Sequence, residues 1–328
     1  MKNIQADIKS GNFKQVYLLY GEEAYLKQQY KQNLVKALNP DGDTMNFNHY
    51  EGKGIDVKQL IDLCETMPFF AERRVVLLED TGFFKNKCEE LADYMKELPD
   101  YLYLVFAETE VDKRNRMYKA VKACGSIAEF IRQDEKTLMS WAAGILGKAG
   151  KKITQRDMEL LLTKTGTDMG NLRMEMEKLI SYTEGRDVVT AEDIEEICTT
   201  QTTNRIFDMV RAVTEKNQKR ALELYYDLLT LKEPPMRILF LLAKQYRQLL
   251  LAKQFAAAGL AQTEIASKLG VPGFVVRNIT TCARAYTISE LEQAVKDFVD
   301  AEESVKTGRL EDKLSVELLI IKYSSKVK

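Results

Sequence analysis

A glycine and a lysine six residues apart, just after a short apolar run, are the raw material of a phosphate-binding loop. In this chain they stand in Gly21-Glu22-Glu23-Ala24-Tyr25-Leu26-Lys27-Gln28. The loop that cradles nucleotide phosphates has the pattern GxxxxGK[ST]. Gly21 and Lys27 are in register with it. Leu26 stands where a second glycine would let the backbone approach phosphate without a Cβ. Gln28 replaces the hydroxyl that would hold Mg²⁺, and Glu22 and Glu23 bring negative charge to the mouth. The set Gly21, Leu26, Lys27 and Gln28 therefore reads as a degenerate loop that does not bind nucleotide, because a working one presents backbone amides to the phosphates. Downstream, Val75-Val76-Leu77-Leu78-Glu79-Asp80 has the outline of a Walker B strand with its two acids in reversed order. Beside a broken phosphate loop it reads as inherited shape, not as a metal site.

Other chemistry is scarce. The chain has a single histidine, His49. Ser-His-Asp catalysis and His-based zinc hydrolysis need at least one well-placed His, and many schemes need two. His49 sits in the alternating stretch Asn46-Phe47-Asn48-His49-Tyr50, which suits an edge strand better than a catalytic loop. The five cysteines (Cys64, Cys88, Cys124, Cys198, Cys282) are scattered, with no CxxC pair. A disulfide scaffold and a zinc ribbon are both disfavoured. No catalytic residue, metal site or cofactor is expected.

Two segments point to binding instead. In Met67-Pro68-Phe69-Phe70, the preceding apolar stripe (Val57, Leu60, Ile61, Cys64) reaches Met67 when it is continued at about 100° per residue. Phe69 and Phe70 fall about 140° and 240° from Cys64 on the same projection, and Pro68 ends regular structure there. Residue type alone favours a chain that turns at Pro68 and packs both rings inside. The alternative is an exposed apolar plug for a partner's pocket. The second segment, Thr263 to Val271 followed by Phe274 to Ile279, resembles a helix-turn-helix with Gly270 in the turn. It offers few donors beyond Arg277 and Asn278, so packing of two short helices is the better account.

The elements that would position these residues follow from periodicity. Apolar runs at 16–20, 74–80 and 102–106, with weaker ones at 46–50 and 127–130, alternate with helical patterns over the first 130 residues. Strands separated by helices, with continuous apolar runs, predict a parallel sheet covered on both faces. After residue 135 the strand pattern stops. Capping-box starts occur at Thr154-Gln155-Arg156-Asp157 and Thr190-Ala191-Glu192-Asp193. A long helix is expected from about Met236 to Ala258, with Gly259 as its cap. A further capping box at Ser289 to Glu292 opens a helix carrying Leu291, Val295 and Phe298.

The chain has 328 residues, 45% hydrophobic and 30% charged, enough for two or three domains with cores of their own. Lys and Arg number 48 against 49 Asp and Glu, which rules out a histone-like polyanion binder. The charge is uneven: residues 209–328 hold 19 basic and 14 acidic side chains, and residues 1–208 hold 29 and 35. That balance allows at most weak contact between the C-terminal part and DNA. The polar N-terminus lacks an apolar targeting core, and the longest apolar stretch of note, Ile238–Ala243, is far short of the roughly 20 residues of a membrane span. A cytoplasmic protein is expected.

Taken in order, Val16-Tyr17-Leu18-Leu19-Tyr20-Gly21-Glu22-Glu23, Met67 to Val76, Gly170-Asn171-Leu172 with Glu177-Lys178-Leu179, and Lys306-Thr307-Gly308 before the Leu314–Ile321 helix resemble the delta-subunit family of bacterial DNA polymerase III, clamp-loader proteins of the AAA+ type. The likeness spans essentially the whole chain, and the order and spacing of short motifs carry it. The sister delta-prime branch, with its clustered zinc-binding cysteines and Ser-Arg-Cys segment, matches less well. The resemblance implies an α/β RecA-like AAA+ domain at 1–138, a small helical lid at 139–207, and an all-α collar at 208–328 that joins the loader ring. It implies a non-catalytic subunit of a DNA-directed DNA polymerase holoenzyme, a nucleotidyltransferase, with no cofactor of its own. Its implied partners are the sliding clamp (beta), the tau/gamma and delta-prime subunits through the C-terminal domain, and primed DNA weakly, with no membrane. The clamp-binding tip would be Met67, Pro68, Phe69 and Phe70, which reverses the expectation that the rings are buried; some relatives carry Leu where this chain has Phe69. The alternatives are a nucleotide-dependent AAA+ ATPase switch using Lys27 and Glu79-Asp80, or a helix-turn-helix regulator using residues 263–279.

Overall fold

The computed structural model describes residues 2–199 and 202–325. Two compact units divide the chain, Met1–Gln133 and Asp134–Lys328.

The first unit is built on a parallel sheet of β1 (Val16–Tyr20), β2 (Phe47–Glu51), β3 (Arg74–Glu79), β4 (Leu102–Glu108) and β5 (Ser126–Glu129), in the order β2-β3-β4-β1-β5. The helices are α1 (Lys2–Ser10), α2 (Ala24–Leu38), α3 (Val57–Cys64), α4 (Glu89–Tyr94) and α5 (Arg116–Cys124). Alternation along each strand explains why its apolar run is continuous. Tyr17, Leu19, Val75, Leu77 and Val105 face Ile4 of α1 and Leu34 and Leu38 of α2. Val16, Leu18, Val76, Leu78, Leu104 and Phe106 face Leu60 and Cys64 of α3, Leu91 of α4 and Met117 of α5. Both faces being buried, a truncation such as Phe106→Ala would cost about 3–5 kcal/mol. Helix α1 was not foreseen. Its polar sequence carries one short apolar pair, of which Ile4 is buried and Ile8 partly so. Helix α4 is short, closing at Tyr94 with Met95 as its cap, well before Pro99.

The second unit opens with α6 (Glu135–Lys148), β6 (Lys152–Ile153), α7 (Gln155–Thr165), α8 (Met169–Tyr182), β7 (Val188–Val189) and α9 (Ala191–Ile197). Strands β6 and β7 pair in parallel, so strand structure does continue past residue 135, in segments too short to leave a pattern in the sequence. Thr154 and Thr190 cap α7 and α9 as expected, accepting hydrogen bonds from the backbones of Asp157 and Asp193. Leu146, Leu161, Leu172, Met176 and Leu179 form one core of this unit. A second core is shared by α10 (Thr202–Thr214), α11 (Gln218–Thr230), α12 (Pro235–Ala257), α13 (Gln262–Leu269), α14 (Gly273–Ala283), α15 (Ile288–Lys306) and α16 (Asp312–Ser324). The capping box of α15 is Thr287 with Glu290, two residues before the expected one. Thr287 offers its hydroxyl from an extended backbone, while Ser289 already lies inside the helix. Among the described residues, no helix is long and apolar enough to cross a membrane.

Candidate functional site

Strand β1 ends at Tyr20 and delivers Gly21 to the turn before α2. There φ is +122°, and a Cβ would meet the Phe130 carbonyl oxygen at 2.3 Å. The glycine is thus required by close approach of the chain leaving β5, whatever else the loop does. The Glu23 amide donates to that same carbonyl at 3.0 Å. Leu26 is half-buried against the core beneath α2, and Gln28 is exposed. Glu22 is exposed and lies 3.6 Å from Arg132, while Glu23 is buried.

Lys27 turns back toward the sheet. Its Nζ donates to the Glu108 carbonyl at 3.0 Å and to Thr109 Oγ1 at 3.4 Å. Burial pushes the ammonium's pKa down, against the attraction of Asp80 and Glu108. The Asp80 carboxylate in turn accepts from the Thr109 amide at 2.9 Å and from its hydroxyl at 2.8 Å. Glu108 is 2% exposed and accepts from the Thr81 amide at 3.1 Å and the Gly82 amide at 3.3 Å. Burial raises its pKa, only partly offset by those hydrogen bonds. Glu79, the other Walker-B-like acid, binds Lys31 Nζ at 2.6 Å and His49 Nε2 at 3.0 Å. His49 lies on edge strand β2 and braces the end of β3. The polar groups at this end of the sheet are thus satisfied by one another.

The 65–73 loop behaves differently. Helix α3 stops at Cys64, so the stripe that would have buried Met67 ends one turn too soon. Met67, Phe69 and Phe70 are 74%, 57% and 94% exposed, and Pro68 is half-buried. The two rings meet edge to face with centroids 4.5 Å apart, and Phe70 has a left-handed backbone at φ +50°. The expectation from residue type, two rings in the core, is corrected: both rings lie at the surface, on a loop whose backbone is held by polar side chains. Buried Arg74 donates from Nε to the Thr66 carbonyl at 2.8 Å and from its terminal nitrogens to the Met67 carbonyl and Asn48 Oδ1, both at 3.2 Å. Buried Asn46 grips Phe69, its Oδ1 accepting from the amide at 2.6 Å and its Nδ2 donating to the carbonyl at 2.9 Å. Sequence reasoning missed both. The available signal was weak: Arg74 opens the otherwise apolar strand β3, and Asn46 immediately precedes β2. Beside them, the Arg73 guanidinium lies over the Phe13 and Tyr103 rings at 5.2 and 5.4 Å.

The helix-turn-helix segment is present as α13 and α14, with Gly270 left-handed at φ +63° between them. Ile265, Val276 and Ile279 are buried in the α10–α16 core. Arg277, its best reading side chain, lies 3.5 Å from Glu159 of α7, and Asn278 is half-buried. The pair serves packing within its unit.

The family profile described as the DNA polymerase III delta subunit matches residues 17–130, and that of its C-terminal domain matches residues 203–323. The chain belongs to the DNA polymerase III delta family. A Bacillus subtilis DNA polymerase III subunit delta is 26% identical over 97% of this chain and 95% of its own length. The solved structure of a Bacillus subtilis DNA clamp loader delta protein covers 99% of both chains with a TM-score of 0.67 at 24% identity, which places the two in the same fold. The chain is therefore of the DNA polymerase III delta type, with an α/β parallel-sheet domain followed by helical domains.

Proposed function

We propose that this delta-family chain is the non-catalytic subunit that engages the sliding clamp and helps to open it for loading onto primed DNA. The tip Met67-Pro68-Phe69-Phe70 enters an apolar pocket on the clamp. The reading rests on one observation: three large apolar side chains are exposed together on a loop whose backbone is tied down by Asn46 and Arg74. A soluble protein seldom presents such a cluster unless something covers it. Burial of two aromatic side chains supplies about 1.5–3 kcal/mol each. Clamp opening follows only if the tip binds the opened or strained ring better than the closed one. ATP hydrolysis belongs to other subunits, since Lys27 is engaged within the sheet end. The work divides among a clamp-binding domain at 1–138, a lid at 139–207 and a collar at 208–328. The collar joins tau/gamma and delta-prime and touches primed DNA weakly, all in the cytoplasm. The test is binding of the purified chain to its clamp by surface plasmon resonance, comparing wild type with Phe69→Ala and Phe70→Ala. A drop of tenfold or more in both is expected; unchanged affinity in both rejects the tip.

A further inference from the structure

The 65–73 loop is not the only segment near the tip that exposes a large apolar side chain. The connection from α2 to β2, residues 39–46, ends beside it and carries Met45, 64% exposed. Its shape is set by its own hydrogen bonds. Asn39 Nδ2 donates to the Asp43 carbonyl at 2.8 Å, and Asn39 Oδ1 accepts from the Asp43 amide at 3.0 Å. Asp43 Oδ1 accepts from the Met45 amide at 2.8 Å, and its Oδ2 accepts from Asn46 Nδ2. The Asn46 side chain therefore has one nitrogen shared between Asp43 of its own loop and the Phe69 carbonyl of the other. Its oxygen takes the Phe69 amide. Two loops far apart in sequence are stitched through one buried amide.

Resting on the proposed clamp contact, we infer that this contact is a two-loop device. Asn46 is its positioning residue, and Met45, its neighbour in the chain, is an additional contact residue. The physical reason is pre-organisation. A loop bearing Phe70 at positive φ, with its rings in water, gains nothing from hydrophobic collapse. It would sample many shapes unless its backbone were bonded, and each lost shape would be a cost of binding.

The experiment measures clamp affinity for Asn46→Ala and Met45→Ala beside Phe70→Ala, with amide hydrogen exchange and thermal melting on each free protein. Asn46→Ala is expected to weaken clamp binding by about tenfold although every apolar side chain remains. Its faster exchange should centre on residues 65–71 and 43–46, the two loops it joins, with a modest drop in melting. A merely structural role would lower melting and leave affinity alone. Met45→Ala is expected to weaken binding severalfold with no change in exchange. If Asn46→Ala binds as wild type while Phe70→Ala is impaired, the inference falls and the clamp-tip reading stands. If Phe70→Ala itself is without effect, that reading falls first. Should Asn46→Ala fail to fold, exposed Met45 carries the test, and wild-type affinity there overturns the two-loop contact.

Discussion

The ammonium of Lys27 lies 3.0 Å from the carbonyl oxygen of Glu108, the last residue of β4, so the one cation of the degenerate loop is spent on the protein's own backbone. A polyphosphate would have to break that bond and the one to Thr109, and would meet the Asp80 and Glu108 carboxylates behind them. Like charges in a poorly solvated site repel strongly. Calorimetric titration with ATP and Mg²⁺ is expected to give no saturable binding at micromolar concentrations. Saturable binding that disappears in Lys27→Ala would restore the ATPase-switch reading.

Glu108 itself predicts a pH effect. Its carboxyl is buried, and burial lifts its pKa above the usual carboxylate range despite the hydrogen bonds from Thr81 and Gly82. A carboxyl whose pKa is higher folded than unfolded holds its proton more tightly in the native state. Its relative contribution to stability is therefore greatest at low pH and is lost as pH rises through the folded value. Glu108→Gln keeps the size and an acceptor for Thr81 but cannot ionise. Urea denaturation from about pH 4 to pH 8 should show this variant gaining stability relative to wild type as pH rises. A difference that stays constant across that range would mean that Glu108 ionises as an ordinary carboxylate.

The fold was largely legible because its strands are buried on both sides, which leaves unbroken runs such as Val75 to Leu78 and Leu102 to Phe106. What the sequence hid was governed by tertiary contacts. Helix α1 shows only Ile4 and Ile8 as apolar markers, and β6 and β7 are two residues each. The exposure of Phe69 and Phe70 could not be read from their type, since Phe is normally buried. It came from resemblance, and its structural cause, the grip of Asn46 and Arg74 on the loop backbone, involves residues whose sequence positions suggested only the starts of strands.

The Walker-B-like acids can be tested as structure. Lys31 is buried and pairs with Glu79 at 2.6 Å, with His49 on the other carboxylate oxygen at 3.0 Å. Removing the ammonium alone leaves a half-buried carboxylate short of a partner, which costs about 1–3 kcal/mol. Lys31→Met should destabilise by that amount in chemical denaturation. The double variant Lys31→Met with Glu79→Leu should recover most of it, because replacing both members of a buried pair is often close to neutral. Neither should change clamp affinity, since both positions lie away from the tip loops. Additive losses in the double variant would refute the pairing.

Phe70 offers a test that separates its backbone from its ring. A non-glycine residue at φ +50° carries roughly 1–2 kcal/mol of local strain. Truncation to Ala removes the exposed ring but keeps that strain, whereas Gly adopts the same backbone freely at an unfolded-state cost of about 0.5–1 kcal/mol. Phe70→Gly should therefore be more stable than Phe70→Ala, by about 0.5–1 kcal/mol, although both lose the side chain. Phe70→Ala in turn should melt close to wild type, because a ring 94% exposed contributes little burial. Urea denaturation of the three proteins decides the point. An Ala variant as stable as the Gly variant would mean that the loop relaxes to negative φ in solution. The geometry that aims Phe69 and Phe70 outward would then be lost in the free protein.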